Sequence, residues 1–262
     1  MLGITEPIRR LTPSVGVQHK RTATTVAEPP DPFDATTIAG LHLWVKARSG
    51  AYTDEARTIP TLVGGVVGGL ADLSGNAHHM FTTHDERRPL LTKVAGAKVL
   101  RFDAVDSGLY AEVNIPTYPY AMFFVFAYHA TDPSQVNIIY KGLPNTFLAA
   151  SYADGKYTYY PNYVHGPVLA AGVWHIGAIW MQAWGNPYIY LDGGVSVGQG
   201  NGAEVPGSKF ILGREYNNGL PMDCDLKEVL VFDSGVSEAD MNVIQSALST
   251  YHGIPVTPIT LA

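Results

Sequence analysis

A single cysteine, Cys224, is present in the whole sequence, which excludes an intramolecular disulfide and removes any need for an oxidising compartment. Synthesis in a reducing cytoplasm is the expectation. Charge is scarce too: charged residues make up 15% of the chain, and 17 Lys and Arg face 23 Asp and Glu for a net −6. Nucleic acid and anionic lipid are therefore poor partners, because both are recognised by clustered cations. Long apolar runs are missing as well. The longest, AMFFVFAY from Ala121 to Tyr128, is far short of a bilayer span. The opening MLGITEPIRRL lacks the unbroken apolar stretch of a secretory signal. No membrane contact and no signal-directed export are expected.

What the chain has in quantity is the material of strands and turns: 27 Gly, 18 Pro and 15 Tyr within a composition that is 46% hydrophobic. Such a balance favours β structure. Leu41, Leu43 and Val45 alternate with His42, Trp44 and Lys46, and KVLRFDAV follows from Lys98 between Gly96 and Gly108. Both read as strands. MFFVFAY, NIIYKG, TFLAASY, KYTYY, VWHIGAIWMQ, YIYLDG, KFILG and LKEVLVF continue the series, most of them separated by Gly, Pro, Asn or Asp. AWGN is short enough to link two of these as a hairpin, and Asp192-Gly193 supplies the next turn. About ten strands with scarcely any helix predict two packed sheets. One helix is predicted, from Glu238 to Tyr251. Ser237 is its N-cap with Asp240 three residues on, Met241, Ile244, Leu248 and Tyr251 fall on one face, and Gly253 ends it.

Residues 1–37 are different. Pro7, Pro13, Pro29, Pro30 and Pro32 interrupt a Thr-rich stretch with no sustained periodicity, so these residues read as an extended arm. Residues 38–254 read as the domain and 255–262 as a tail. Ile4, Ile8 and Leu11 could lie on a neighbouring surface, while Arg9, Arg10, Lys20 and Arg21 could pair with an acidic one.

Several fragments, in order, resemble the laminin-G-like branch of the concanavalin A-like lectin/glucanase superfamily: LHLWVKA, LADLSGNAHHM, Arg88-Pro89, VLRFDAVDSGL, YIYLDGG and LKEVLVFDSGVSEADMNVIQSALSTYHGI. The likeness spans about residues 40–254. It implies an all-β concanavalin A-like jelly roll of two antiparallel sheets, one concave, with a C-terminal helix. Phe102-Asp103-Ala104 departs from the family's Phe-Asp-Gly, and Leu70 stands where the family often has Trp. The superfamily includes lectins, glycosidases and structural modules, so the fold leaves function open.

Asp223, Asp225 and Glu228 in DCDLKEVLVF have the Asp-x-Asp-x-x-Glu spacing of a group of retaining glucanases within that superfamily. A retaining pair needs carboxyl groups about 5–5.5 Å apart on one face. In a regular strand Asp223 and Asp225 share a face while Glu228 points the other way unless a bulge intervenes. A structural or solvated strand edge is the preferred reading. His78, His79 and His84 lack a second cluster with ligand spacing, so no metal is expected. Gly64-Gly65 and Gly68-Gly69 lack the Lys-Ser/Thr of a phosphate cradle, and Cys224 lacks a sequence-apparent His partner. No cofactor is expected.

Tyr157 and Tyr159 share one face of KYTYY, and Trp184 sits at the AWGN tip. Flat rings with a polar edge suit sugar stacking, which makes these three the candidate carbohydrate-binding residues. The expected function is a non-enzymatic jelly-roll module of a bacteriophage virion, held by its arm to other virion proteins in a multi-subunit assembly as a head decoration or tail-associated protein. A glycan-binding lectin or adhesin that reads a host-surface glycan is the alternative. A glycoside hydrolase ranks third.

Overall fold

The computed structural model describes residues 33–103, 105–113, 119–129, 137–142, 146–152, 156–160, 164–182, 187–197, 209–213, 222–234 and 236–260. All of them belong to the unit Pro32–Ala262. The strands in chain order are β1 (Leu41–Lys46), β2 (Ala51–Tyr52), β3 (Gly69–Leu70), β4 (Met80–Phe81), β5 (Leu90–Val94), β6 (Ala97–Asp103), β7 (Gly108–Ala111), β8 (Tyr120–Tyr128) and β9 (Asn137–Gly142). They continue as β10 (Thr146–Tyr152), β11 (Lys156–Tyr160), β12 (Val164–Val168), β13 (Trp174–Met181), β14 (Pro187–Leu191), β15 (Gly194–Val197), β16 (Phe210–Gly213) and β17 (Asp223–Phe232), before helix α1 (Glu238–His252).

These strands form two antiparallel sheets. The first runs β15-β14-β13-β8-β17-β6-β5, with β1 also paired to β17; the second runs β12-β11-β10-β9-β16-β7-β4-β3-β2. This is the jelly-roll sandwich that the alternation and the family likeness imply. Alternation sorts the side chains of β17: Cys224, Leu226, Val229 and Val231 enter the core between the sheets, while Leu230 and Phe232 enter a second cluster on the outer face of the first sheet. Helix α1 covers that second cluster with Met241, Ile244 and Leu248. Two apolar layers therefore share one sheet, which is why β8 is buried along its whole length.

Helix α1 begins as predicted. Ser237 Oγ accepts from Asp240 N, Asp240 Oδ2 accepts from Ser237 N, and Gly253 closes the helix in the left-handed conformation at φ +67°. Gln245 rather than Tyr251 completes the buried face. Phe33 to Thr37, read from sequence as the end of the arm, instead belongs with the sandwich: Ala35–Thr37 makes a 3-10 turn and Ala35 is fully buried in the helix-side cluster. The tail is likewise attached, with Ile259 buried and Asn242 bonded to its backbone on both sides.

Polar residues fix the loops. Asp72 accepts from the backbone N–H of Trp44, Ser74 and His78, and Asn76 Nδ2 donates to Leu41 O, so LADLSGNAHHM is a latch on β1. The two histidines are part of it: His79 Nδ1 accepts from Asp72 N and His78 Nδ1 lies 3.0 Å from His42 O. In TLVGGVVGGL the glycines serve packing. Gly64 N donates to Leu91 O and Leu91 N donates to Gly65 O, so the run covers part of edge strand β5. A Cβ on Gly68 would come within 2.4 Å of Thr53 O. At the YLDGG turn, Asp192 Oδ1 accepts from Ile176 N, and a Cβ on Gly193 would sit 1.8 Å from Thr257 O.

Candidate functional site

The geometry of β17 depends on one irregularity. Its register against β8 shifts between Leu226 and Glu228, and beside this bulge the neighbouring strand changes from β6 to β1. The extra residue reverses the alternation. Glu228 therefore lies on the helix-side face with Asp225, in contrast to the opposed orientation expected of a regular strand. Neither carboxylate is a solvated edge: Asp225 is 0% and Glu228 1% exposed.

The two carboxylates belong to separate networks. Glu228 Oε1 accepts from Trp44 Nε1 at 2.7 Å and lies 3.2 Å from Lys46 Nζ, while Oε2 is 2.8 Å from His252 Nε2 at the end of α1. Burial pushes the Glu228 carboxyl up, but the bond to His252, the Lys46 charge and the Trp44 N–H outweigh it and hold it below its ordinary value. Burial lowers Lys46 against the pull of Glu228. The Lys46 ammonium also lies 4.1 Å from the centroid of the Trp44 ring. This network fastens the last turn of α1 to the sheet.

Asp225 is bound differently. Its two oxygens accept from Nε and Nη2 of Arg101, each at 2.8 Å, the planar fork arrangement that guanidinium and carboxylate favour. His129 Nε2 is 2.9 Å from Oδ2, an ion-pair distance without hydrogen-bond alignment. Arg101 comes from β6 opposite Asp225, and Ala127 and Trp174 continue the same row across β8 and β13. One pleat further out, Asp223 and Asp103 face each other. Lys227, at the bulge, places Nζ 3.8 Å from the centroid of the Trp174 ring.

This row borders the apolar cluster covered by α1, against which Trp174 packs, and it is accessible at Arg101 and His129. The Arg101 side chain is 43% exposed and that of His129 31%, above a carboxylate with none. Asp225 holds the guanidinium in one orientation and leaves its Nη1 donors for another acceptor. Burial raises the Asp223 carboxyl, helped by the charges of Asp225 and Asp103 and opposed by His129 and Arg101. Burial raises Asp103 too, but bonds from Ser107 and the backbone N–H of Val105, Asp106 and Ser107 bring it below its ordinary value. The open end of the sheet thus offers oriented donors, acceptors and one aromatic edge.

The candidate stacking residues are elsewhere. Tyr157 and Tyr159 are both 0% exposed in the core between the sheets. Tyr159 Oη lies 2.9 Å from Tyr120 Oη across the sandwich, and the Tyr157 ring stacks on Phe126 with centroids 6.0 Å apart. Gly177 makes room for Tyr157, since a Cβ there would meet its hydroxyl at 2.3 Å. Alternation placed the two rings on one face, but it could not say that this face is internal, so the sugar-stacking role expected of them is corrected to packing. Trp184 lies outside the described residues, as do the arm residues Ile4, Ile8, Arg9, Arg10, Leu11, Lys20 and Arg21. Arg101, His129, Trp174 and Lys227 were not singled out from sequence. The available signal was a charged residue at an outward position of an otherwise apolar strand, as Arg101 is in KVLRFD. Among the described residues no three His, Cys, Asp or Glu gather as metal ligands would.

Comparison with known proteins establishes the architecture. The fold is a β-sandwich that also occurs within solved sialidase and neurotoxin-domain structures. The Trypanosoma rangeli sialidase in complex with sialic acid superposes with a TM-score of 0.56 at 12% identity, over 81% of this chain and 33% of that one. The botulinum neurotoxin serotype D ligand binding domain in complex with N-acetylneuraminic acid gives 0.55 at 10%, over 79% and 50%. The serotype D binding domain alone gives 0.53 at 11%, over 79% and 51%. The chain thus spans a third to a half of the structures it resembles. No family model and no curated protein matches it. These similarities lend the virion role no support.

Proposed function

We propose that the chain is a non-enzymatic glycan-binding β-sandwich module, with its site on the open end of the first sheet around Arg101, Asp225, His129 and Trp174. The observation that carries this reading is the fully buried Asp225 beneath a half-exposed Arg101. A guanidinium held by a buried carboxylate is a preoriented donor array, and preorganisation lowers the entropic cost of binding a polar ligand. Asp223 supplies an acceptor one pleat away, and the partly exposed Trp174 supplies an aromatic edge for a sugar ring. Two of the similar structures are complexes with a sugar, which supports a glycan as the class of ligand without fixing which one.

Two features favour binding over hydrolysis. A retaining glycosidase needs an acid and a nucleophile that both reach the scissile bond, whereas Glu228 is closed off beneath His252 and held in its charged form. Asp225 is spent on Arg101. The test is a glycan array probed with the wild-type chain and with the paired variant Arg101→Ala/Asp225→Ala, which removes both charges together so that neither is left buried alone. Array binding that disappears in the folded variant supports the reading, and binding unaffected by it refutes the site. Reducing-end release from a glucan panel that is abolished by Glu228→Gln would refute the non-enzymatic part.

A further inference from the structure

We infer that the glycan taken by this end of the sheet is a neutral one presenting adjacent hydroxyls, rather than one carrying a sialate or uronate carboxylate. The inference rests on the glycan-binding reading of the same site and follows from how its charges are already used. Arg101 is the half-exposed cation, yet two of its N–H groups are committed to Asp225, whose own charge compensates it. His129 is directed at that same carboxylate. The Lys227 ammonium lies against the Trp174 ring, and burial weakens its hold on its proton. Against these stand three carboxylates on one face, Asp103, Asp223 and Asp225, the first two being direct partners across β6 and β17.

A ligand carboxylate placed to reach Arg101 would lie beside Asp223 on the neighbouring strand, diagonal to Arg101 in the register. Like charges held together at an interface discriminate strongly against a partner. Burial is the main reason the Asp223 carboxyl is raised, and the charges of Asp225 and Asp103 beside it add in the same direction. Adjacent sugar hydroxyls have the complementary character, because each can accept from an Arg101 N–H and donate to a carboxylate oxygen. The site therefore has the donor and acceptor alternation of a diol-binding surface without the surplus positive charge of an anion site.

The experiment is calorimetric titration of the full chain with matched pairs: lactose against 3′-sialyllactose, cellotriose against a cellobiose-linked glucuronate, and chitotriose against its uronate-bearing counterpart. The expected result is that a neutral member binds at least about tenfold more tightly than its acidic partner, with little change between 50 and 500 mM NaCl. In Asp103→Asn/Asp223→Asn that preference ratio should shrink by about tenfold, through gain of affinity for the acidic member. Tighter binding of an acidic member by wild type, lost in Arg101→Ala/Asp225→Ala, overturns the neutral preference and leaves the site in place. Binding that this paired variant does not alter overturns the site itself. Binding to no member of any pair overturns both.

Discussion

Replacing Glu228 by Leu should cost stability before anything else. The carboxylate is 1% exposed and accepts from Trp44 while facing Lys46, whose side chain is 4% exposed, and His252. Removing it takes away the charge that offsets a buried ammonium, a change that typically costs about 3–5 kcal/mol. For a chain of this size each kcal/mol moves the melting temperature by about 2–4 °C, so a fall of roughly 6–20 °C is expected by circular dichroism at pH 7. Lys46→Met/Glu228→Leu should recover a large part of that loss, because the two residues act on each other and not independently. The sign with pH follows from the direction of the shift. A carboxyl held lower in the folded than in the unfolded state stabilises fully above the unfolded value and loses that contribution as pH falls through the folded value. The gap between wild type and Glu228→Leu should therefore be widest near neutrality and narrow below about pH 4. A variant melting within about 2 °C of wild type at pH 7, or a double variant whose loss is the plain sum of the single ones, would refute this account of the network.

Leu248→Ala should lower stability by about 2–5 kcal/mol, since Leu248 is 1% exposed in the cluster under α1; an unaltered denaturation curve would show that the helix contributes nothing to the sandwich. Tyr157→Phe should raise stability by about 1–3 kcal/mol, because its hydroxyl is buried without a hydrogen-bond partner, and a clear loss in chemical denaturation would contradict that placement. A chain starting at Pro32 should melt cooperatively. One starting at Ile38 should melt at a lower temperature because it lacks the buried Ala35; equal melting of the two would return residues 33–37 to the arm.

The sequence carried the parts of this protein that depend on local periodicity. The alternation of Leu41, Leu43 and Val45, the long apolar run of β8 and the Ser237, Asp240 and Gly253 signals each act within a few residues of themselves. A two-sheet sandwich with one capped helix could be read from them directly. The same periodicity put Tyr157 and Tyr159 on one face and stopped there, because which face is internal is decided only when a second sheet covers it. Glu228 shows the limit most plainly. Its spacing from Asp225 assigns it to the wrong side of a regular strand, and only the bulge, at the place where β17 exchanges β6 for β1, brings it round beneath the helix. The Arg101–Asp225 pair lies 124 positions apart in the chain, so no local pattern could join them. Pairing between distant strands decided which charges are buried together, and burial in turn decided which of them remain available at the open end of the sheet.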